Sequence, residues 1–224
     1  MTYKALTITG IISISLLTGC FGAKPEAELY VAFENATKQE KAVSEDAKKL
    51  EGLEKQGQEL YNQIINDGKD SNQAIMPKIE QATKSMDERE KVWNKEKVWN
   101  KEKEAFEKAQ EEIKSVHKTI DKMEDAALQK QAKNIQDIYK KRYASFNKIN
   151  DSYQKLMGFE REVYKSLGEK ETNLKKISEK IKGVNQMNED IQREKEKFNG
   201  YTKEYNKEKL DFYKQAKIKI KDEK

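Results

Sequence analysis

Apolar residues recur along nearly the whole chain in alternating steps of four and three, a period that commits it to long helices packed along their length. From Leu29 the steps fall on Phe33, Ala36, Glu40, Val43, Ala47, Leu50, Glu54, Gly57, Tyr61 and Ile64. A stop signal follows at Asn66-Asp67-Gly68, and Asp70 and Ser71 suit the next start. The second segment carries Ile75, Ile79, Ala82, Met86 and Trp93, then Phe106, Ala109, Ile113, Val116, Ile120 and Met123, with Pro77 in its first turns. The third runs unbroken through Leu128, Ala132, Ile135, Tyr139, Arg142, Phe146, Ile149, Tyr153, Leu156, Glu160, Val163 and Leu167 and then meets Gly168. The fourth runs from Leu174 through Ile177, Ile181, Val184, Asn188, Ile191, Lys195, Phe198, Thr202, Tyr205 and Lys209 to Phe212, with Gly183 and Gly200 as weak points. Asp121 to Asp125 contain neither Gly nor Pro, and the break before the third segment is placed there because its neighbours then match in length.

Four segments of roughly 40 to 48 residues correspond to helices on the order of 60 to 70 Å long. Short turns make neighbours antiparallel, so the expected fold is all-α: a long up-and-down four-helix bundle with coiled-coil-like packing, forming a single domain over residues 29–220. An extended coiled coil that oligomerises is the alternative. The near-equal spacing of the turn signals favours the intramolecular bundle.

One interruption has a different origin. Glu90-Lys91-Val92-Trp93-Asn94-Lys95 is followed at once by the identical Glu96-Lys97-Val98-Trp99-Asn100-Lys101. With one copy removed, Ile75, Ile79, Ala82, Met86, Arg89 and Trp93 continue in four-three phase through Glu102 to Phe106. Six residues turn an ideal helix by about 600°, roughly 120° short of two turns. Both tryptophans therefore cannot face one core stripe, and either one of them is displaced or the helix bulges nearby.

Polar residues also enter the seams, at Glu40, Glu54, Arg142, Glu160 and Lys195. Counting from the helix ends puts Glu40, Arg142 and Lys195 at similar heights, which predicts a polar layer in which Glu40 faces Arg142 or Lys195. Such layers fix register. Of the ten tyrosines, Tyr61, Tyr139, Tyr153 and Tyr205 fall on seam positions, where a ring is buried and its hydroxyl reaches the bundle edge. Tyr143 and Tyr201 lie one step off the seam and are the candidates for contact with a ligand.

At the N-terminus, Lys4, the apolar run Ala5 to Leu17 and the string Leu17-Thr18-Gly19-Cys20 have the layout of a secretory signal ending in a lipobox. The expectation is a signal peptide over residues 1–19, cleavage between Gly19 and Cys20, and a diacylated Cys20 with a short tether over residues 20–28. Two acyl chains give stable anchoring, at roughly 0.8 kcal/mol per buried methylene, on the outer face of the membrane and facing the wall. A membrane-spanning helix needs about 20 predominantly apolar residues, and Thr7, Thr9, Gly10, Ser13 and Ser15 interrupt this run.

Composition narrows the function. Lys and Arg number 45 against 40 Asp and Glu, so the net charge of +5 is small beside the total and both signs are interspersed. That describes a solvated mixed-charge surface; the competing idea, attraction to an anionic envelope polymer or lipid headgroups, lacks a clustered basic stripe, and no nucleic-acid partner is expected. Cys20 is the only cysteine, so once it is acylated no thiol is left for a disulfide, redox pair or nucleophile. His117 is the only histidine and lies in the charged stretch Lys114-Ser115-Val116-His117-Lys118, where a surface position is expected. No catalytic residue, metal site or cofactor is assigned, and no pair of carboxylates is marked out for glycoside hydrolysis.

The lipobox, the four Lys/Glu-rich helices and several local strings resemble the YkyA-like family of cell-wall-binding lipoproteins. Those strings are Asp87-Glu88-Arg89-Glu90-Lys91, Lys141-Arg142-Tyr143, Phe198-Asn199-Gly200-Tyr201-Thr202 and Tyr205-Asn206. The resemblance covers nearly the whole chain. It implies a four-helix surface lipoprotein of a Gram-positive envelope with a non-enzymatic role in wall binding, its partners the membrane through lipid on Cys20 and peptidoglycan or teichoic acid. A structural spacer or assembly subunit that binds another envelope protein is the second reading, and a wall hydrolase the third.

Overall fold

The computed structural model describes residues 24–41, 44–67, 72–95, 98–168 and 174–218. Gly19 and Cys20 lie outside the described residues, as do Val43, Gly68, Asp70 and Ser71; the Trp99 side chain is not described either. Every described element is helical: α1 (Pro25–Lys41), α2 (Ser44–Asp67), α3 (Asn72–Glu90), a π-helical turn (Lys91–Lys95), α4 (Val98–Ser115), α5 (His117–Asp121), α6 (Ala126–Leu167) and α7 (Leu174–Gln215). The fold is all-α. The third and fourth expected segments are each one helix of 42 residues, α6 and α7, whereas the first is described as α1 and α2, and the second as α3, the π turn, α4 and α5.

Local chemistry accounts for these ends. Pro25 opens α1, where its missing N–H has no helical partner to lose, and Glu26 and Glu28 place negative charge at the positive end of the helix. Pro77 is the sixth residue of α3 and is exposed, so the helix passes through it at the loss of one backbone bond. Asp125 caps α6, its Oδ1 accepting from the backbone N–H groups of Ala127 (2.8 Å) and Leu128 (3.1 Å). That cap starts a helix where neither Gly nor Pro marks a break. Between α4 and α5 the ladder is interrupted at Val116, and the Gln136 side-chain amide on α6 donates to the Ile113 carbonyl at 2.6 Å. At the end of α7, Lys217 takes the left-handed conformation at φ 56°. The Ile218 N–H donates to the Tyr213 carbonyl (2.9 Å) and the Lys217 N–H to that of Lys214 (3.1 Å), a Schellman closure with Lys where Gly is usual.

The chain divides into two compact units. Among the described residues, the first spans 44–67, 72–95, 98–101, 148–168 and 174–194, and the second spans 24–41, 102–147 and 195–218. Helices α6 and α7 contribute to both.

The core of the first unit is the expected seam: Ile64 of α2, Ile79 and Met86 of α3, Tyr153 and Val163 of α6, and Val184 and Ile191 of α7 are buried. In the second, Phe33, Ile113, Ile120, Ile135, Tyr139 and Phe212 form the centre of the apolar cluster. Burial runs wider than a strict seam, because Ile138, Met157 and Tyr164 on α6 are also covered. That is the broader stripe of a helix with neighbours on more than one side.

The duplicated hexapeptide is where helix geometry changes. Its first copy contains the π turn Lys91–Lys95, a wider turn that takes up about one extra residue. Trp93 is buried in the first unit and packs on Tyr153 with ring centroids 4.7 Å apart.

Candidate functional site

Each unit buries one arginine, and around each a polar cluster is built. In the second unit, α1 supplies Glu40, α6 supplies Tyr139 and Arg142, and α7 supplies Thr202. All four are seam residues, at positions an apolar side chain would otherwise fill. Arg142 donates through Nη2 to Glu40 Oε2 at 2.7 Å, through Nη1 to Glu40 Oε1 at 2.5 Å, and through Nε to Thr202 Oγ1 at 2.8 Å. The Tyr139 hydroxyl donates to Glu40 Oε1 at 2.5 Å. The guanidinium also lies 4.6 Å from the Phe198 ring centroid and 5.1 Å from that of Phe106, a stacked arrangement that suits its planar, weakly hydrated charge.

Burial alone would lower the Arg142 pKa, but the neighbouring Glu40 carboxylate and its hydrogen bonds outweigh it and the pKa is raised. Burial, reinforced by Glu40, drives the Tyr139 phenol well above its usual range. Lys195 is half-buried on α7. A further lysine in the second unit, Lys209, has its Nζ 2.8 Å from Glu34 Oε1 and donates to Thr37 Oγ1 at 3.1 Å, while the Tyr213 hydroxyl donates to the same Glu34 oxygen at 2.9 Å. Burial first, then Glu34, raises Tyr213 well above its usual range and Tyr30 to about 12.

In the first unit, Arg89 of α3 donates to Glu160 Oε2 at 2.7 Å and to the Tyr153 hydroxyl at 3.0 Å from Nη2 and 3.2 Å from Nε, with both acceptors on α6. Gly57 of α2 lies close by: a Cβ there would stand 3.4 Å from Arg89 Nη1. The Tyr153 phenol is raised well above its usual range by burial, then by Glu54.

Sequence reasoning did not single out Arg89, Lys209, Glu34 or Thr37. Arg89 and Lys209 occupy seam positions, and that is the signal by which they could have been found; Glu34 and Thr37 lie off the α1 seam and carry none.

These clusters are chemically closed. Each buried arginine is matched by a carboxylate, Arg142 by Glu40 and Arg89 by Glu160, and the two arginines are 2% and 4% exposed. Among the described residues no group of three or more His, Cys, Asp or Glu side chains is placed to hold a metal ion. The His117 side chain is 67% exposed and lies 3.6 Å from Asp121. Tyr143 on α6 and Tyr201 on α7 are half-buried, each with part of its ring against the apolar cluster of the second unit and part toward solvent. No helix among the described residues is long and apolar enough to cross a membrane.

A model of the family YkyA, described as "Putative cell-wall binding lipoprotein", matches residues 24–215. The protein "Uncharacterized lipoprotein YkyA" of Bacillus subtilis (strain 168) is 24% identical over 206 residues, covering 92% of this chain and 90% of that one. A crystal structure of a conserved protein of unknown function from Staphylococcus aureus superposes with a TM-score of 0.64 at 17% identity, covering 87% of this chain and 98% of that one. At that identity the likeness concerns the fold.

Proposed function

The chain belongs to the YkyA family, and from that membership we propose that it is a cell-envelope lipoprotein, anchored through lipid on Cys20 to the outer face of the membrane, whose helical domain binds a wall polymer without catalysis. The observation that carries this reading is the family match across residues 24–215, immediately downstream of the Leu17-Thr18-Gly19-Cys20 string. The seam periodicity and the two long helices α6 and α7 support an up-and-down four-helix bundle over residues 29–220 as the carrier. A non-enzymatic role is supported by the family's description as a binding lipoprotein, and the buried arginine–carboxylate pairs are assigned to structure. Glu40, Arg142 and Lys195 are assigned a register-fixing role.

The surface assigned to the wall polymer is the part of the second unit that carries the half-buried Tyr143 and Tyr201 and the exposed Lys140, Lys141 and Lys203. Aromatic faces suit sugar rings, and ammonium groups suit the phosphates of teichoic acid. The test offers the soluble domain purified peptidoglycan, teichoic acid and membrane extract as competing baits. Retention by peptidoglycan or teichoic acid, weakened by joint Tyr143→Ala and Tyr201→Ala replacement, is the expected outcome. Retention of a single envelope protein with neither polymer bound would instead support the spacer role.

A further inference from the structure

We propose that the outward face of α6 in the second unit binds a linear polyanion, a phosphodiester polymer of the teichoic acid type, through the charge of Lys130, Lys140 and Lys141 rather than through sugar contacts. This rests on the wall-binding reading above and narrows its ligand to one chemical class. Along the chain both signs are interspersed, but the helices of this unit sort them. From Glu102 to Asp125, which covers α5 and most of α4, five lysines stand against eight acids. From Ala126 to Asn147 on α6, five basic residues stand against one acid, Asp137. Arg142 is buried against Glu40, which leaves four lysines, all of them exposed. At about 100° per residue, Lys130, Lys133, Lys140 and Lys141 fall within an arc of roughly 100°, opposite the buried Ile135, Tyr139 and Phe146.

Neutralisation also differs between the helices. On α4, Lys108 lies 2.8 Å from Glu104 and Lys103 lies 3.8 Å from Glu107, so that helix offsets its own charge. On α6, Lys133 lies 3.0 Å from Asp121, while Lys130, Lys140 and Lys141 have no ion-pair partner among the described residues. Spacing then selects a polymer. Lys130 is ten residues from Lys140, which is about 15 Å of helix, against a Debye length of about 8 Å at physiological salt. A single phosphate reaches one end of this face, whereas a chain of phosphates engages both ends and gains from effective concentration. An anionic bilayer suits the face less well: every exposed residue between Ala126 and Asn147 is polar or alanine, and an interfacial helix needs large apolar side chains to bury.

The test uses the purified full-length protein in neutral detergent. Its probes are teichoic acid, peptidoglycan freed of teichoic acid, inorganic phosphate, and mixed micelles containing phosphatidylglycerol. Joint Lys130→Gln, Lys140→Gln and Lys141→Gln replacement should weaken teichoic acid binding by about tenfold or more. Joint Lys108→Gln, Lys118→Gln and Lys122→Gln replacement makes the same change in net charge at exposed positions of the same unit, and should change binding by less than about twofold. For the unaltered protein, raising salt from about 50 to about 200 mM should weaken binding roughly tenfold. Equal losses in the two triple variants, salt-independent binding, or phosphate or micelles bound as tightly as teichoic acid would each overturn the inference. Binding to peptidoglycan freed of teichoic acid, undiminished in the α6 variant and without affinity for teichoic acid, would overturn it and leave wall binding standing. A protein that binds neither polymer removes the wall-binding reading itself, and this inference with it.

Discussion

Lys217 holds a conformation that its side chain disfavours. At φ 56° it closes the Schellman turn that brings Ile218 onto the apolar cluster of the second unit, and a left-handed non-glycine residue costs roughly 1–2 kcal/mol. Lys217→Gly should therefore stabilise the domain by about 0.5–1 kcal/mol in denaturant titrations, after allowing for the extra freedom of glycine in the unfolded chain. The buried Glu40 and Arg142 pair behaves differently, because each charge is tolerable only beside the other. Arg142→Ala should cost about 3–5 kcal/mol by stranding Glu40, whereas joint Glu40→Leu and Arg142→Met replacement should restore most of that loss. Equal losses in the single and joint variants would show that the aromatic stacking of Arg142 matters more than its ion pair. Glu40 and Arg142 are visible in the sequence as charges on an apolar seam, but the left-handed Lys217 is not, since nothing about lysine signals that conformation.

At the scale of elements, the four-three recurrence locates the long helices well because a buried stripe must repeat with the helix. From Leu128 to Val163 every seam residue is buried except Glu160, which is half-buried and bonded to Arg89. In the sequence only length matching marks the start of α6, because its physical cause, the Asp125 cap, is a two-bond detail of a residue type common throughout the chain. Likewise, the duplicated hexapeptide signals a phase error, but not that a π turn at Lys91–Lys95 takes part in absorbing it. Deleting Glu96 to Lys101 restores the continuous seam and should keep helical content while raising the thermal midpoint. Loss of stability on that deletion, followed by circular dichroism, would show that the surplus turn packs productively.

For the whole molecule, the buried tyrosines set a limit on the alkaline side. Tyr139, Tyr205 and Tyr213 are raised well above their usual range, chiefly by burial, and Tyr30 is raised to about 12. A raised folded-state pKa means that above about pH 10 the unfolded chain sheds phenolic protons that the folded chain keeps. Their contribution is therefore fully present below pH 10 and is lost as pH rises through the folded values, with Tyr30 titrating near 12. Denaturation midpoints should fall steeply above pH 10, and Tyr30→Phe should flatten the early part of that fall.

The envelope assignment is tested most directly at the mature N-terminus. Mass spectrometry of the protein extracted from membranes should find Cys20 as the first residue, carrying a diacylglyceryl group, and Cys20→Ala should release the chain from the membrane fraction. An unmodified Cys20 on a secreted or intracellular chain would contradict the anchor.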